Sequence, residues 1–176
     1  MNEDGSHPQR PNAAVRLCVI GVSLLSAVAA CSQAAPVELS SAAREHMKTD
    51  RFDAVTSIRG LPLGVRSGLQ TLFASQEFDV QRDIAEPGAR FQGTGAAGDS
   101  MLPLRRLIAA ECSIDHCLVL YERAGTVLTS HVALFHWTPE ATQFESGGLA
   151  PKPLATIEDA RKALLTGSLQ SSPKFW

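Results

Sequence analysis

An excess of positive charge is missing from this chain. Sixteen Lys and Arg stand against eighteen Asp and Glu, a net charge of −2, and the isoelectric point falls near 6.2. Nucleic-acid binders show a basic patch and a high isoelectric point, so no nucleic acid is expected among the partners. Long apolar runs are also scarce. The most apolar segment, Leu17–Cys31, is followed at once by Ser32 and Gln33, short of the roughly 20 residues a membrane-spanning helix needs. Cysteines number only four, and no second Cys/His pair stands at zinc-finger spacing. A structural zinc site usually takes four ligands, so no metal is expected.

What the chain does contain is a well-formed export pattern. Arg10 and Arg16 precede the apolar stretch Leu17–Val28, and the small residues Ala29 and Ala30 follow it. A basic n-region, an apolar h-region of about 7–15 residues and small residues at the cut make a secretory signal. Cys31 stands directly after Val28-Ala29-Ala30. This resembles the lipobox of bacterial lipoproteins, in which the thiol is diacylated, the chain is cut before it and the new amine is acylated. The resemblance implies a signal peptide over 1–30, a lipid (palmitate-type) on Cys31, and an anchor and tether over 31–55. It also implies a lipid-held protein on the periplasmic face of the outer membrane, since Ser32 rather than Asp follows the cysteine. Two or more acyl chains hold a protein stably to a membrane. Ordinary secretion, to the periplasm or beyond, is the alternative.

With Cys18 removed and Cys31 lipidated, Cys112 and Cys117 remain. They flank Ser113-Ile114-Asp115-His116, a short polar connection between apolar runs. In an oxidising compartment such a pair reads as a disulfide, worth about 2 kcal/mol on the chain-entropy estimate for so small a loop. Zinc is the competing reading.

The mature chain, about 146 residues, is long enough for one domain with a proper core. That domain is expected over 56–176, after a weak helix around Ser41–Lys48 within the tether. Leu61, Val65, Leu69, Leu72 and Phe73 make one apolar stripe, which predicts a helix over about 62–73, with Gly64 and Gly68 as weak points. Strands are expected over Leu104–Cys112, Cys117–Arg123, Val127–Trp137 and Gln143–Glu145, the last ended by Gly147-Gly148. Pairing Cys112 with Cys117 sets Ala110 opposite Val119, Ile108 opposite Tyr121 and Arg106 opposite Arg123. The strand around Val127–Trp137 is apolar on both faces, which suggests a central strand covered on one side by a helix. Thr156 with Asp159 resembles a capping box and Gly167 suits a C-cap, so a helix is expected over 156–166. The class is α+β: an antiparallel meander of three or four strands, two packed helices and one hairpin disulfide.

Candidate chemistry is thin. Gly93-Thr94-Gly95-Ala96-Ala97-Gly98 matches G-x-G-x-x-G, but Pro103 follows where a dinucleotide fingerprint must open a helix, so no cofactor is expected. Gly98-Asp99-Ser100-Met101-Leu102-Pro103 resembles the nucleophile box of serine–lysine signal peptidases, which would make Ser100 the nucleophile. The resemblance stops there, because Leu104-Arg105-Arg106 follows and Lys152 lies between prolines. A GDSL-type esterase would need a histidine near the C-terminus, and none follows His136. His131 and His136 are an odd number apart on one strand and point to opposite faces. His136 could meet Glu145, and His116 is expected to be exposed in the disulfide loop. Arg105, Arg106 and Arg123 form a cationic edge that is solvated or paired with Glu122 and Glu111.

Ser57–Pro62, Tyr121–Gly125, His131–Trp137 and Lys174-Phe175-Trp176 are similar to segments of small exported proteobacterial proteins of no assigned function. The expectation is therefore a non-enzymatic envelope module that binds a protein or peptidoglycan partner. A peptidase using Ser100 is the alternative.

Overall fold

Between residues 116 and 137 the buried side chains alternate between two faces, and that decides the layering. In the computed structural model, which describes residues 36–73, 84–93 and 101–171, β4 (His116–Arg123) and β5 (Thr129–Trp137) run side by side in the middle of one sheet. Cys117, Val119, Tyr121, Ala133 and Phe135 face one apolar cluster. Leu118, Leu120, Val132 and Leu134 face another. A sheet apolar on both faces needs cover on both. One face carries a 3-10 turn (Ile58–Gly60) and helix α2 (Leu63–Leu72), through Ile58, Val65 and Leu69. The other carries α1 (Ser41–Thr49) and α3 (Ile157–Thr166), through Ala43, Met47, Ala160 and Leu164. The expectation of cover on one side is corrected: helices lie on both.

The sheet runs in the order β1 (Asp53–Val55), β3 (Arg105–Cys112), β4, β5 and β6 (Thr142–Leu149), with every neighbour antiparallel. A two-residue strand, β2 (Ile84–Ala85), joins the start of β3 in parallel. The expected α+β class with an antiparallel sheet and a hairpin disulfide is present. The strands exceed the three or four expected, and α1 is a third helix. Residues 36–55 are not a bare tether: Ala43 and Met47 of α1 are buried, and β1 pairs with the end of β3.

Local sequence explains the elements. Ser40 caps α1 by accepting the Ala43 amide at 3.0 Å, and Thr156 caps α3 by accepting that of Asp159 at 3.1 Å. Gly167 ends α3 at φ +67°, a left-handed conformation that glycine adopts without a Cβ penalty. Gly64 and Gly68 are contact points rather than flaws. A Cβ at Gly64 would lie 2.0 Å from Thr142 Oγ1, and one at Gly68 would lie 2.8 Å from Phe135 Cε1. Their absent side chains let α2 sit close on β5 and β6.

Two irregularities separate the observed register from the expected one. Ala110 does face Val119, but Tyr121 faces Leu107, because β3 bulges between Leu107 and Ala109. The extra residue turns Leu107 and Ala110, three apart, toward the same cluster. It also moves Arg105 opposite Arg123 and Arg106 opposite Glu122, to which Arg106 Nε donates at 2.5 Å. Arg105, 8 % exposed, lies with its guanidinium 4.0 Å from the centre of the Phe73 ring, and Arg161 pairs with Glu111. The last strand does not stop at its glycines. It runs through Gly147 and Gly148 to Leu149 and bulges between the partners of Leu134 and Phe135.

Cys112 and Cys117 are direct cross-strand partners joined by a disulfide, 4.1 Å apart at Cα. Replacing both with serine is expected to cost about 2 kcal/mol of unfolding free energy. Urea denaturation of the two forms measures the difference, and equal midpoints would show that the bridge constrains nothing.

Candidate functional site

At the hairpin end of the sheet, three imidazoles and three carboxylates come together. The disulfide closes the base of the turn, and Ser113 ties it from within. Its amide donates to the His116 carbonyl at 2.7 Å, and its hydroxyl accepts the His116 amide at 3.0 Å. His116 starts β4 on the same face as Leu118 and Leu120, toward α1 and α3. Its side chain is 3 % exposed, which corrects the expectation of an exposed loop histidine. Its Nδ1 lies 2.8 Å from Asp115 Oδ1.

Helix α1 supplies the other half. His46, in its last turn, and Asp50, its C-terminal cap, are four residues apart and so share one side of the helix. His46 Nδ1 lies 2.9 Å from Asp50 Oδ2. The His46 and His116 rings stack with centroids 4.5 Å apart, and His136 meets His116 edge-on at 5.2 Å. The bulge in β6 leaves Glu145 as the extra residue between the partners of Leu134 and Phe135. Bulges re-aim side chains, and this one sends Glu145 under α1. Its Oε1 accepts from Ser40 Oγ at 3.3 Å, and its Oε2 lies 3.2 Å from His116 Nε2. That last contact lacks hydrogen-bond alignment, and Oε2 is buried without another hydrogen-bond partner.

The charges reinforce one another. The hydrogen bond to Asp50 holds the His46 imidazole above its ordinary pKa, against desolvation, and the fields of Asp50, Asp115 and Glu145 add to it. Partial burial is the largest single influence on Asp115 and raises it, but its hydrogen bond with His116 and the fields of His116 and His46 together hold it below the usual carboxylate range.

The other end of the same strands carries a different group. Tyr121, fully buried, stacks on His131 with centroids 5.1 Å apart. His131 Nε2 lies 2.9 Å from Thr129 Oγ1. Burial lowers the His131 pKa to about 4, and Arg123 and Arg105 push the same way. Burial keeps the Tyr121 phenol protonated well above its ordinary range, despite the same two arginines.

The parity argument that put His131 and His136 on opposite faces agrees with their surroundings, Tyr121 for one and His116 for the other. Glu145, the carboxylate expected to meet His136, lies instead against His116. Sequence reasoning missed His46 and Asp50. Their only signal was an i, i+4 His/Asp pair, which gains meaning once α1 is known to lie beside the Asp115-His116 turn. Cys31, Ser100 with the rest of 94–100, the extended piece expected at 78–80 and the terminal Phe175-Trp176 lie outside the described residues.

Compared with known proteins, the chain matches no family model, no curated protein and no solved structure. Its chemistry must be read from its own residues. Among the described residues, no helix is long and apolar enough to cross a membrane.

Proposed function

We propose that the chain is an exported lipoprotein, cut before Cys31 and held by lipid on the periplasmic face of the outer membrane. Its folded domain acts as a non-enzymatic binding module for an envelope protein or peptidoglycan. The observation that carries the export half is the Cys112–Cys117 disulfide in the central hairpin, which suits an oxidising compartment and leaves Cys31 as the thiol for lipid. The binding half is supported by the histidine–carboxylate rim. Its groups are paired as imidazole and carboxylate, an arrangement that presents charge and hydrogen-bonding capacity to a ligand.

Mass spectrometry of the protein recovered from native membranes tests the anchor. The expected N-terminus is Cys31 with its thiol and amine acylated, and Cys31→Ala is expected to move the protein out of the membrane fraction. A cut at another bond, or an unmodified Cys31, would remove the lipoprotein reading. Co-purification of a specific envelope component from the same membranes tests the binding half, and recovery of the protein alone would count against it.

A further inference from the structure

We propose that the rim between α1 and the disulfide hairpin binds one divalent transition-metal ion through His46, Asp50, Asp115 and His116. One donor atom from each residue can be chosen so that all four lie within 4.8 Å of one another. Around a tetrahedral ion, metal–nitrogen and metal–oxygen bonds of about 2.0–2.2 Å put donors about 3.3–3.6 Å apart. The widest pair must therefore close by roughly 1.2–1.5 Å to complete the set.

The two halves are unequally free to make that contraction. Asp115 and His116 sit on a turn fixed by the disulfide and by two hydrogen bonds between Ser113 and His116, one from the Ser113 amide and one to the Ser113 hydroxyl. His46 and Asp50 are on the last turn and cap of α1, with side chains 41 % and 24 % exposed, and can close onto the fixed pair. Within each pair the nitrogen and the oxygen are already 2.9 and 2.8 Å apart, the spacing of two ligands subtending roughly a right angle at an ion with such bond lengths. Solvent reaches the site past His46.

The donor set selects the metal. Calcium takes six to eight oxygens, and magnesium keeps several waters with one or two carboxylates. Two imidazoles with two carboxylates suit zinc, nickel or copper(II). Glu145 adds an independent indication. Its Oε2 is buried, has no hydrogen-bond partner and lies 3.2 Å from His116 Nε2, so a third carboxylate lends negative charge to the site. The inference does not depend on the lipid anchor or on a macromolecular partner.

The full-length protein, without a polyhistidine tag and stripped with chelator, is titrated with Zn2+ by calorimetry, and with Ca2+ and Mg2+ in parallel. One equivalent of Zn2+ is expected to bind and to raise the melting temperature, while Ca2+ and Mg2+ do neither. His46→Ala and Asp50→Ala, both on the exposed side of the rim, are expected to weaken Zn2+ binding by more than the ten- to hundredfold typical of lost outer-shell partners. Both should keep a cooperative melt. Absence of Zn2+ binding, or binding unchanged in both variants, would overturn the proposal. If Zn2+ does not bind and His46→Ala lowers stability, the cluster is a structural histidine–carboxylate network instead. None of these outcomes alters the N-terminal mass or the co-purification result, so the two readings fail separately.

Discussion

Gly147→Ala is expected to destabilise the domain by about 3–5 kcal/mol. Gly147 has φ +155°, and a Cβ there would lie 2.2 Å from the Val132 carbonyl oxygen and 2.9 Å from Ala133 Cα. Both atoms belong to the backbone of β5, so no rotamer change relieves the contact. The β5–β6 ladder must separate at its middle or the residue must leave its conformation. Overpacking costs typically 1–3 kcal/mol, and forcing an L side chain into such a backbone region costs a further 1–3. For a domain of this size each kcal/mol lowers the melting temperature by roughly 2–5 °C, so a loss of roughly 6–25 °C is expected. Gly88→Ala is the control. Gly88 also has a positive φ, +74°, but nothing lies within 4 Å of its added Cβ, so only the backbone cost of about 1 kcal/mol applies. Equal losses in the two variants, measured by thermal melts, would show that β5 does not crowd Gly147.

The second large effect is acid lability centred on His131. Buried against Tyr121 with Arg105 and Arg123 nearby, this imidazole has a folded pKa of about 4, against 6.5 when unfolded. Above pH 6.5 neither state binds the proton and stability is unaffected. As pH falls below 6.5 the unfolded chain takes up a proton that the folded one refuses, so stability declines until the folded group also titrates near pH 4. At 1.36 kcal/mol per pKa unit, the loss is on the order of 3 kcal/mol. His131→Phe removes this proton uptake while retaining an aromatic ring beside Tyr121. Carboxylate effects common to both proteins cancel in the comparison, so the variant's stability relative to wild type should rise by that amount between pH 7 and pH 4. A difference that stays constant with pH would mean that His131 is not the group responsible.

Much of the framework was legible in the sequence because it rests on short-range signals. Thr156 with Asp159 and Gly167 bound α3, and the unbroken apolar run Cys117–Tyr121 marks β4. The Cys112–Cys117 pairing sets the register as far as Ala109 and Leu120. Beyond that point the register depends on a one-residue bulge, which no local signal announces. It exists because Leu107 and Ala110, at helical rather than strand spacing, must reach one cluster. Gly147 and Gly148 read as a strand end for a similar reason. Their lack of side chains answers a crowding by Val132 and Gln170 that comes from residues far along the chain. The site was legible only in pieces. Asp115, His116, His136 and Glu145 were each in view, but His46 and Asp50 sit on a segment whose weak helical pattern hid its place in the core. What joins them is α1 lying across the hairpin, a contact between elements about 70 residues apart.

Gln170 bridges Leu149 at the open side of β6 and also Pro36, while the Val37 amide donates to the Leu169 carbonyl at 3.1 Å. The first and last described segments of the fold therefore lie along one seam, beside the strand that would otherwise be a bare sheet edge. In topological terms the domain is nearly a closed ring. Linking residue 171 to residue 36 and opening the chain at an exposed turn such as Gly125 would leave every strand neighbour in place. The seam also gathers onto one edge strand any pull arriving through the residues before Pro36. Such a load would have to part the Pro36–Gln170 bridge before it reached β4 and β5.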